Sequence, residues 1–398
     1  MGFGRRQVMG APPPGLLDGL TVISLAQQYP GPYCTMLLAD LGADVVLVER
    51  PNGGDPARGI GGMSPFFASL NRNKRSVALD LSAEEGKLVL WDLLEKADVL
   101  VEGFRPGVME RLGFGAASVR ARFRSLVYVS ISGYGQDGPD RLVAGHDLSY
   151  AGRAGVLAAS VEAGSTEEHL PLAIADLSSG TFAAFAIVAG VTHRHGTGEG
   201  AYIDLSMTEG LVSWMGITLE PHLNSAEADL LRTGREPAYG IYRCGDGKLL
   251  SLSIAFEDHF WQRLCDTFDL GQWRALGSPE RRQKAGALRE LIASRLESDT
   301  RDRWIAALTA ADVPCGAVSS LAEVTEDAQF RARGMFQEGP GESGGSRWHV
   351  GFPFLIEGSR PPIRLPAPQL GEHTHDVLGR LGYDAGRLAA LQAAGVIN

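Results

Sequence analysis

From residue 19 onward the chain alternates short, continuously apolar runs with helical patterns, and this alternation leaves it few possible architectures. Leu20-Thr-Val-Ile-Ser-Leu reads as a buried strand, and Gly31-Pro-Tyr-Cys-Thr-Met-Leu-Leu-Ala-Asp-Leu-Gly as a helix stopped at Gly42. Ala43-Asp-Val-Val-Leu-Val-Glu is the next strand and Lys87 to Lys96 a helix. Ala97-Asp-Val-Leu-Val-Glu and Ser125-Leu-Val-Tyr-Val-Ser-Ile-Ser are a third strand and a fourth. Strands interleaved with helices build βαβ units and a parallel sheet. Runs apolar on both sides are strands covered by helices on both faces. The fold class is therefore α/β.

A second sector starts near Arg235. There Ile241-Tyr-Arg-Cys-Gly-Asp-Gly-Lys-Leu-Leu-Ser-Leu-Ser-Ile predicts a hairpin turning at Gly-Asp-Gly. Helical patterns follow from Glu257 to Asp269, Pro279 to Glu297 and Arg301 to Ala311, which together suggest a smaller α+β domain. The segment 337–369, rich in Gly, Pro and Ser, reads as irregular, and Asp376 to Gln392 as one amphipathic helix.

Charge and cysteine content exclude several functions. A net charge of -10 argues against a general nucleic-acid binder or a ligand of anionic membranes, yet leaves room for a local basic pocket. Four dispersed cysteines without a C-x-x-C pair indicate neither a zinc site nor a redox motif, and they fit a reducing cytoplasm. His193 and His195 lack a nearby third ligand, so no metal is expected. The first residues have no apolar core resembling a signal peptide, and the longest apolar stretch, Thr181 to Thr192, is too short to span a bilayer. A soluble cytoplasmic protein is the expectation. No G-x-G-x-x-G follows the first strand and no G-x-x-x-x-G-K-[ST] occurs, which disfavours ordinary dinucleotide or NTP binding.

A different series of motifs stands in their place. The first strand and the run from Gly31 to Pro51 are followed by Asn71-Arg-Asn-Lys-Arg-Ser-Val-Ala-Leu-Asp-Leu and Ala97-Asp-Val-Leu-Val-Glu-Gly-Phe-Arg-Pro-Gly. Then come Ser132-Gly-Tyr-Gly-Gln-Asp-Gly-Pro, Gly145-His-Asp-Leu-Ser-Tyr, Ala201-Tyr-Ile-Asp-Leu-Ser-Met and Gly371-Glu-His-Thr. In this order they resemble the family III CoA-transferase (CaiB/BaiF) family, most closely its α-methylacyl-CoA racemase branch, from about Leu16 to Leu378. The resemblance implies a Rossmann-like large domain made of residues 1–225 and 333–398, a small domain of residues 226–332, and an interlocked homodimer. It also implies an acyl-CoA thioester as substrate, coenzyme A arriving as part of that substrate, and no prosthetic group.

The basic residues Arg50, Arg72, Lys74, Arg75 and Arg105 are candidates for the coenzyme's phosphates, since guanidinium forks and ammonium groups both suit phosphate oxygens. The resemblance draws Arg50, Arg75 and Arg105 toward the coenzyme and places Gly103, Tyr134 and Gly135 beside it. It makes His146 and Asp176 an acid/base pair that removes an α-proton on one face of a 2-methylacyl-CoA and returns one on the other. Such a pair needs groups titrating near neutrality: histidine does so intrinsically, and burial can hold an aspartate protonated. Glu257 is implied to lie near the active site and orient His146. Asp147 reads as structural. The backbone N–H of Asp176 or Leu177 is expected to face the thioester oxygen. The leading expectation is thus a racemase. The alternative is a CoA-transferase in which Asp176 is a nucleophile, and from another class, a non-catalytic acyl-CoA-binding protein.

Overall fold

In the computed structural model, which describes residues 15–59, 62–162, 171–224 and 236–398, six strands form one parallel sheet. They are β1 (Thr21–Ser24), β2 (Asp44–Glu49), β3 (Lys74–Ala78), β4 (Val99–Glu102), β5 (Val127–Ser132) and β6 (Tyr202–Ser206). Their order is β3-β2-β1-β4-β5-β6. The direction of winding reverses between β1 and β4, and ligands of doubly wound sheets bind outside the carboxyl ends of the strands at such a switch point.

Beyond the four apolar runs, β3 starts inside the basic run that the sequence places just before a strand, and β6 is additional. β3 opens on Lys74-Arg75 and β6 alternates exposed and half-buried residues, so neither shows a continuous apolar run. Alternation along β3 then sends successive side chains to opposite faces.

One face of the sheet packs Val22, Val45, Val99, Val101, Val127 and Val129 against α1 (Pro30–Asp40) and α4 (Ile174–Thr197). The other packs Ile23, Val46, Leu100 and Tyr128 against α2 (Glu84–Glu95) and the two C-terminal helices. Helix α1 carries Pro30 and Pro32 in its first turn, where a missing N–H costs nothing. Helix α4 is long and apolar enough, by length and composition, to cross a membrane, unlike the shorter stretch read from the sequence. Within the fold its stripe Ala175, Ser179, Ala183, Ile187, Gly190 and Val191 is buried. The contact between α1 and α4 is close: a Cβ added at Gly180 would lie 2.7 Å from the Pro30 carbonyl oxygen and 2.9 Å from the Tyr33 ring. Between these helices the chain forms α3 (Asp147–Arg153), and α5 (Met207–Trp214) follows β6.

The described residues divide into two compact units, one of 15–59, 62–159, 171–215 and 333–398, the other of 160–162, 216–224 and 236–332. In the second, β7 (Tyr239–Arg243) and β8 (Leu249–Ser253) form the hairpin expected at the Gly-Asp-Gly turn, and β9 (Cys315–Ala317) pairs antiparallel with β8. Helices α6 (Asp258–Phe268), α7 (Ala285–Leu296) and α8 (Arg301–Ala310) cover it. Trp261, Phe268, Leu288, Ile292 and Leu308 form its core. The helix expected over Pro279 to Glu297 is broken at Lys284.

The C-terminal segment is more ordered than its composition suggests. Residues 337–369, read as irregular, contain most of an antiparallel hairpin, β10 (Phe336–Pro340) and β11 (Ser346–Val350). The single helix expected at the end is two, α9 (Thr374–Arg380) and α10 (Ala385–Ala393), separated where Gly382 adopts φ +94°. The segment also caps the edge of β3. Ser76 N–H donates to His373 Nδ1 at 3.3 Å, Ala78 N–H to Thr374 Oγ1 at 3.1 Å, and His373 N–H to the Ser76 carbonyl at 2.9 Å. An edge strand covered in this way cannot pair with another chain.

Candidate active site

Helix α4 starts at Ala173 without a side-chain cap of its own. Its cap comes from outside the helix: Asp147 Oδ1 accepts the N–H of Ala175, 28 residues on, at 2.6 Å and that of Asp176, 29 residues on, at 3.2 Å. A carboxylate here also meets the positive end of the helix dipole. The structural role expected of Asp147 is thus a specific one.

Asp147 is the first residue of α3, and His146 precedes it in extended backbone. One turn later the buried Tyr150 donates its O–H to the Gly145 carbonyl at 2.7 Å. Its ring fills the space beside Gly133 and Gly145, where an added Cβ would come within 2.5 and 2.6 Å. Only glycine fits at either position, so the Tyr150 ring sets the path of the chain into His146. The His146 imidazole itself is exposed and makes no hydrogen bond among the described residues.

Asp176 stands in the first turn of α4, half-buried. Burial, reinforced by the neighbouring Asp147 charge, lifts its carboxyl to about 7. Its field reaches the phenols of Tyr29 and Tyr150, and the Arg105 charge also acts on Tyr150. Tyr134 packs edge-on against Tyr150, with ring centroids 5.3 Å apart. Tyr29 and Gly103 follow β1 and β4, the strands between which the winding reverses, and Tyr134 follows β5. Gly135 follows with φ +91°, and Gly103 leaves β4 exposed, its Cβ position 3.5 Å from the Ala26 side chain.

The basic residues separate into two groups. Arg72 is buried and forks onto Asp40, with Nη2 2.7 Å from Oδ2. Lys74 is buried completely, donating to the Pro32 carbonyl and to Asn71 Oδ1, each at 2.8 Å, and burial pulls its pKa down to about 7. Both were expected to meet phosphate, and both instead tie β3 to α1. For Lys74 the reason is register: β3 already begins there, so alternation turns that side chain inward, while Arg72, just before the strand, is drawn in by Asp40. Arg75 points to the other face and pairs with Asp44 and Asp376. Arg50, which donates to the Gly54 carbonyl at 3.1 Å, and Arg105 remain exposed.

The backbone donors also differ from expectation. The Asp176 N–H is taken by Asp147, and the Leu177 N–H donates to the Ala173 carbonyl at 3.0 Å. Neither is free for a thioester oxygen. Glu257 sits at the N-cap position of α6 in the second unit, its carboxylate accepting the Ala255 N–H at 3.0 Å. Among the described residues no cluster of three His, Cys, Asp or Glu side chains could hold a metal ion.

Sequence reasoning missed two features, the remote cap from Asp147 and the position of Tyr29. Gln28, just before Tyr29, adopts φ +65°. That conformation is rare for a residue with a side chain. It is held because the Gln28 N–H donates to both oxygens of the fully buried Asp55, at 3.1 and 3.0 Å. No residue type in Ala26-Gln-Gln-Tyr announces it.

Comparison with known proteins agrees with this architecture. The model of CoA-transferase family III matches residues 17–374. The chain belongs to that family. The family III chain is 30% identical to an acyl-CoA transferase of Fusarium pseudograminearum, over 96% of its own length and 88% of the relative's. It is 31% identical to a succinate–glutarate CoA-transferase of Agrobacterium fabrum, over 92% and 95% respectively. A CAIB/BAIF family protein from Brucella suis superimposes with a TM-score of 0.81 at 28% identity, covering 92% of this chain and all of that one. The named relatives are transferases, so the family III chain is an enzyme of transferase type, and the expectation of an isomerase gains no support from them.

Proposed function

We propose that this chain is a CoA-transferase that moves coenzyme A from an acyl-CoA to a free carboxylic acid, with Asp176 as the nucleophile. The observation that carries this reading is the Asp176 carboxyl in the first turn of α4, half-buried and lifted to about 7. A carboxylate of higher basicity is the stronger nucleophile. The transferase names of the relatives support it, and the succinate–glutarate relative suggests small carboxylic acids as acceptors.

In the reaction, a carboxylate oxygen of Asp176 adds to the thioester carbonyl carbon. The C–S bond breaks and leaves an acyl-aspartyl anhydride with CoA thiolate. The thiolate attacks the aspartyl carbonyl, releasing the acyl group as its carboxylate and leaving an aspartyl-CoA thioester. The acceptor carboxylate then attacks that thioester, forming a new anhydride and freeing the thiolate. Attack of the thiolate on the acceptor's acyl carbon gives the new acyl-CoA and regenerates Asp176. Half-burial of the site favours these steps over hydrolysis of the anhydride. The exposed Arg50 and Arg105 are our candidates for the coenzyme's phosphates, with Gly103, Tyr134 and Gly135 bordering the coenzyme.

Epimerisation at the α-carbon is the second reading. It is favoured by His146 standing directly before the Asp147 cap and by the titration of Asp176 near neutrality, with Glu257 as the implied partner of His146. The deciding experiment is incubation with an acyl-CoA in D₂O, with and without an added carboxylic acid. CoA passing to the acid without deuterium at the α-carbon supports the transferase. Exchange without acceptor, with convergence of epimers, supports the second reading and rejects the first.

The expected homodimer is retained as part of this proposal. Phe185 of α4, Leu148 of α3 and Trp214 of α5 are 73, 46 and 51% exposed, an apolar area that a second copy would cover. Light scattering after gel filtration tests it, and a monomer at micromolar concentration would reject it.

A further inference from the structure

Attack on a thioester places negative charge on the carbonyl oxygen, and an enzyme gains most from a donor already aimed at that oxygen. Three backbone donors of the first turn of α4 are committed: Ala175 and Asp176 give theirs to Asp147, and Leu177 to Ala173. Two tyrosines, Tyr29 and Tyr150, lie within the field of Asp176, and a third, Tyr33, lies against Gly180 one turn later. Tyr150 donates its hydroxyl to Gly145, and the Tyr33 hydroxyl is bonded to Thr181. The hydroxyl of Tyr29 has no hydrogen-bond partner among the described residues.

Its placement is determined on three sides. Tyr29 is the N-cap residue of α1, whose first turn meets α4 at Gly180, four residues after Asp176. The left-handed Gln28, pinned by Asp55, fixes the backbone that leads into it. The ring stands edge-on to Phe66 with centroids 5.1 Å apart. A rare backbone conformation held by a fully buried carboxylate beside a half-buried phenol is the kind of strain found at functional sites.

We propose that the Tyr29 hydroxyl is a catalytic hydrogen-bond donor to the thioester oxygen of the acyl-CoA. As Asp176 adds to the carbonyl carbon, the C=O pair moves onto oxygen and Tyr29 stabilises it there without giving up its proton. When the intermediate collapses the pair returns, and the thiolate leaves with the C–S electrons. Burial and the nearby Asp176 charge hold the phenol above its usual range, so it stays a donor throughout neutral pH. The assignment rests on Asp176 acting as nucleophile.

The test uses the full chain, its Tyr29→Phe variant and Asp176→Ala. Each is assayed with acetyl-, propionyl-, succinyl- and 2-methylpropionyl-CoA against free carboxylic acids. Tyr29→Phe keeps the ring pair with Phe66, so the fold is retained, as an unchanged melting temperature would confirm. We expect kcat to fall about 10²- to 10³-fold, as on removing one oxyanion donor, with KM changed less than about threefold. Wild-type kcat in Tyr29→Phe, or a change in KM alone, overturns the assignment. Activity persisting in Asp176→Ala would instead overturn the nucleophile reading, so the two failures are distinguishable.

Discussion

The carboxylate of Asp147 accepts the backbone N–H of Asp176 at 3.2 Å, and its charge adds to burial in lifting the side-chain carboxyl of that same residue to about 7. One side chain therefore both caps the helix that presents the reactive group and tunes that group.

These two effects separate by substitution. Asp147→Asn keeps an oxygen for the Ala175 and Asp176 donors but removes the charge, so the Asp176 midpoint should move down in a pH–rate profile. Asp147→Ala also removes the cap, at about 1 kcal/mol of stability. An unmoved midpoint in Asp147→Asn would show that burial alone sets it.

The raised carboxyl of Asp176 has a consequence for stability. Its folded pKa lies above the unfolded value of about 3.9. Protonation of Asp176 therefore favours the fold below that lower value, and the advantage is lost as pH rises toward 7. Asp176→Asn should melt a few degrees higher than the wild type at pH 8 and equally at pH 4. Activity should rise with pH through about 7 in the wild type and be lost in Asp176→Asn, as followed by CoA transfer.

Arg72 and Arg105 should part company. Arg72→Met leaves Asp40 buried without its cation, which costs about 3–5 kcal/mol. The variant should show a much lower melting temperature, while its folded fraction keeps the wild-type KM for acyl-CoA. Arg105→Ala, at an exposed position, should leave melting unchanged and raise that KM about tenfold, the loss of one charge-assisted contact. The reverse pattern would restore Arg72 to the ligand.

His146→Ala distinguishes the two reactions. Under the transferase reading CoA transfer should survive within about tenfold, because the exposed imidazole takes no part in the acyl transfers. Loss of α-deuterium exchange with intact transfer would mean that the site supports both chemistries.

The apolar runs from Leu20 to Leu25, Ala43 to Glu49 and Ser125 to Ser132 were legible because a strand buried on both faces has no polar alternation to mask it. The start of β3 was not, because its first residues, Lys74 and Arg75, are charged and reach their partners, the Pro32 carbonyl and Asp44, only once α1 and β2 lie beside them. The same charges read as a solvated phosphate cluster for that reason. The break between α9 and α10 was missed because a glycine inside an amphipathic pattern signals a stop only when its backbone turns left-handed.

Asp176 and His146 were singled out from the sequence by motif, and a local string of residues can do no more than that. What the sequence determined by itself was the α/β class, the strands β1, β2, β4 and β5, the hairpin at Gly-Asp-Gly and the acidic net charge, since these follow from hydrophobic patterning along the chain, turn residues and composition. Tertiary structure alone decided that Asp147 caps α4, that Arg72 and Lys74 turn inward, and that Tyr29, its hydroxyl without a partner among the described residues, lies within the field of Asp176. Those outcomes depend on burial and on hydrogen-bond partners tens of residues away, and these come into being only when the sheet and its helices pack together.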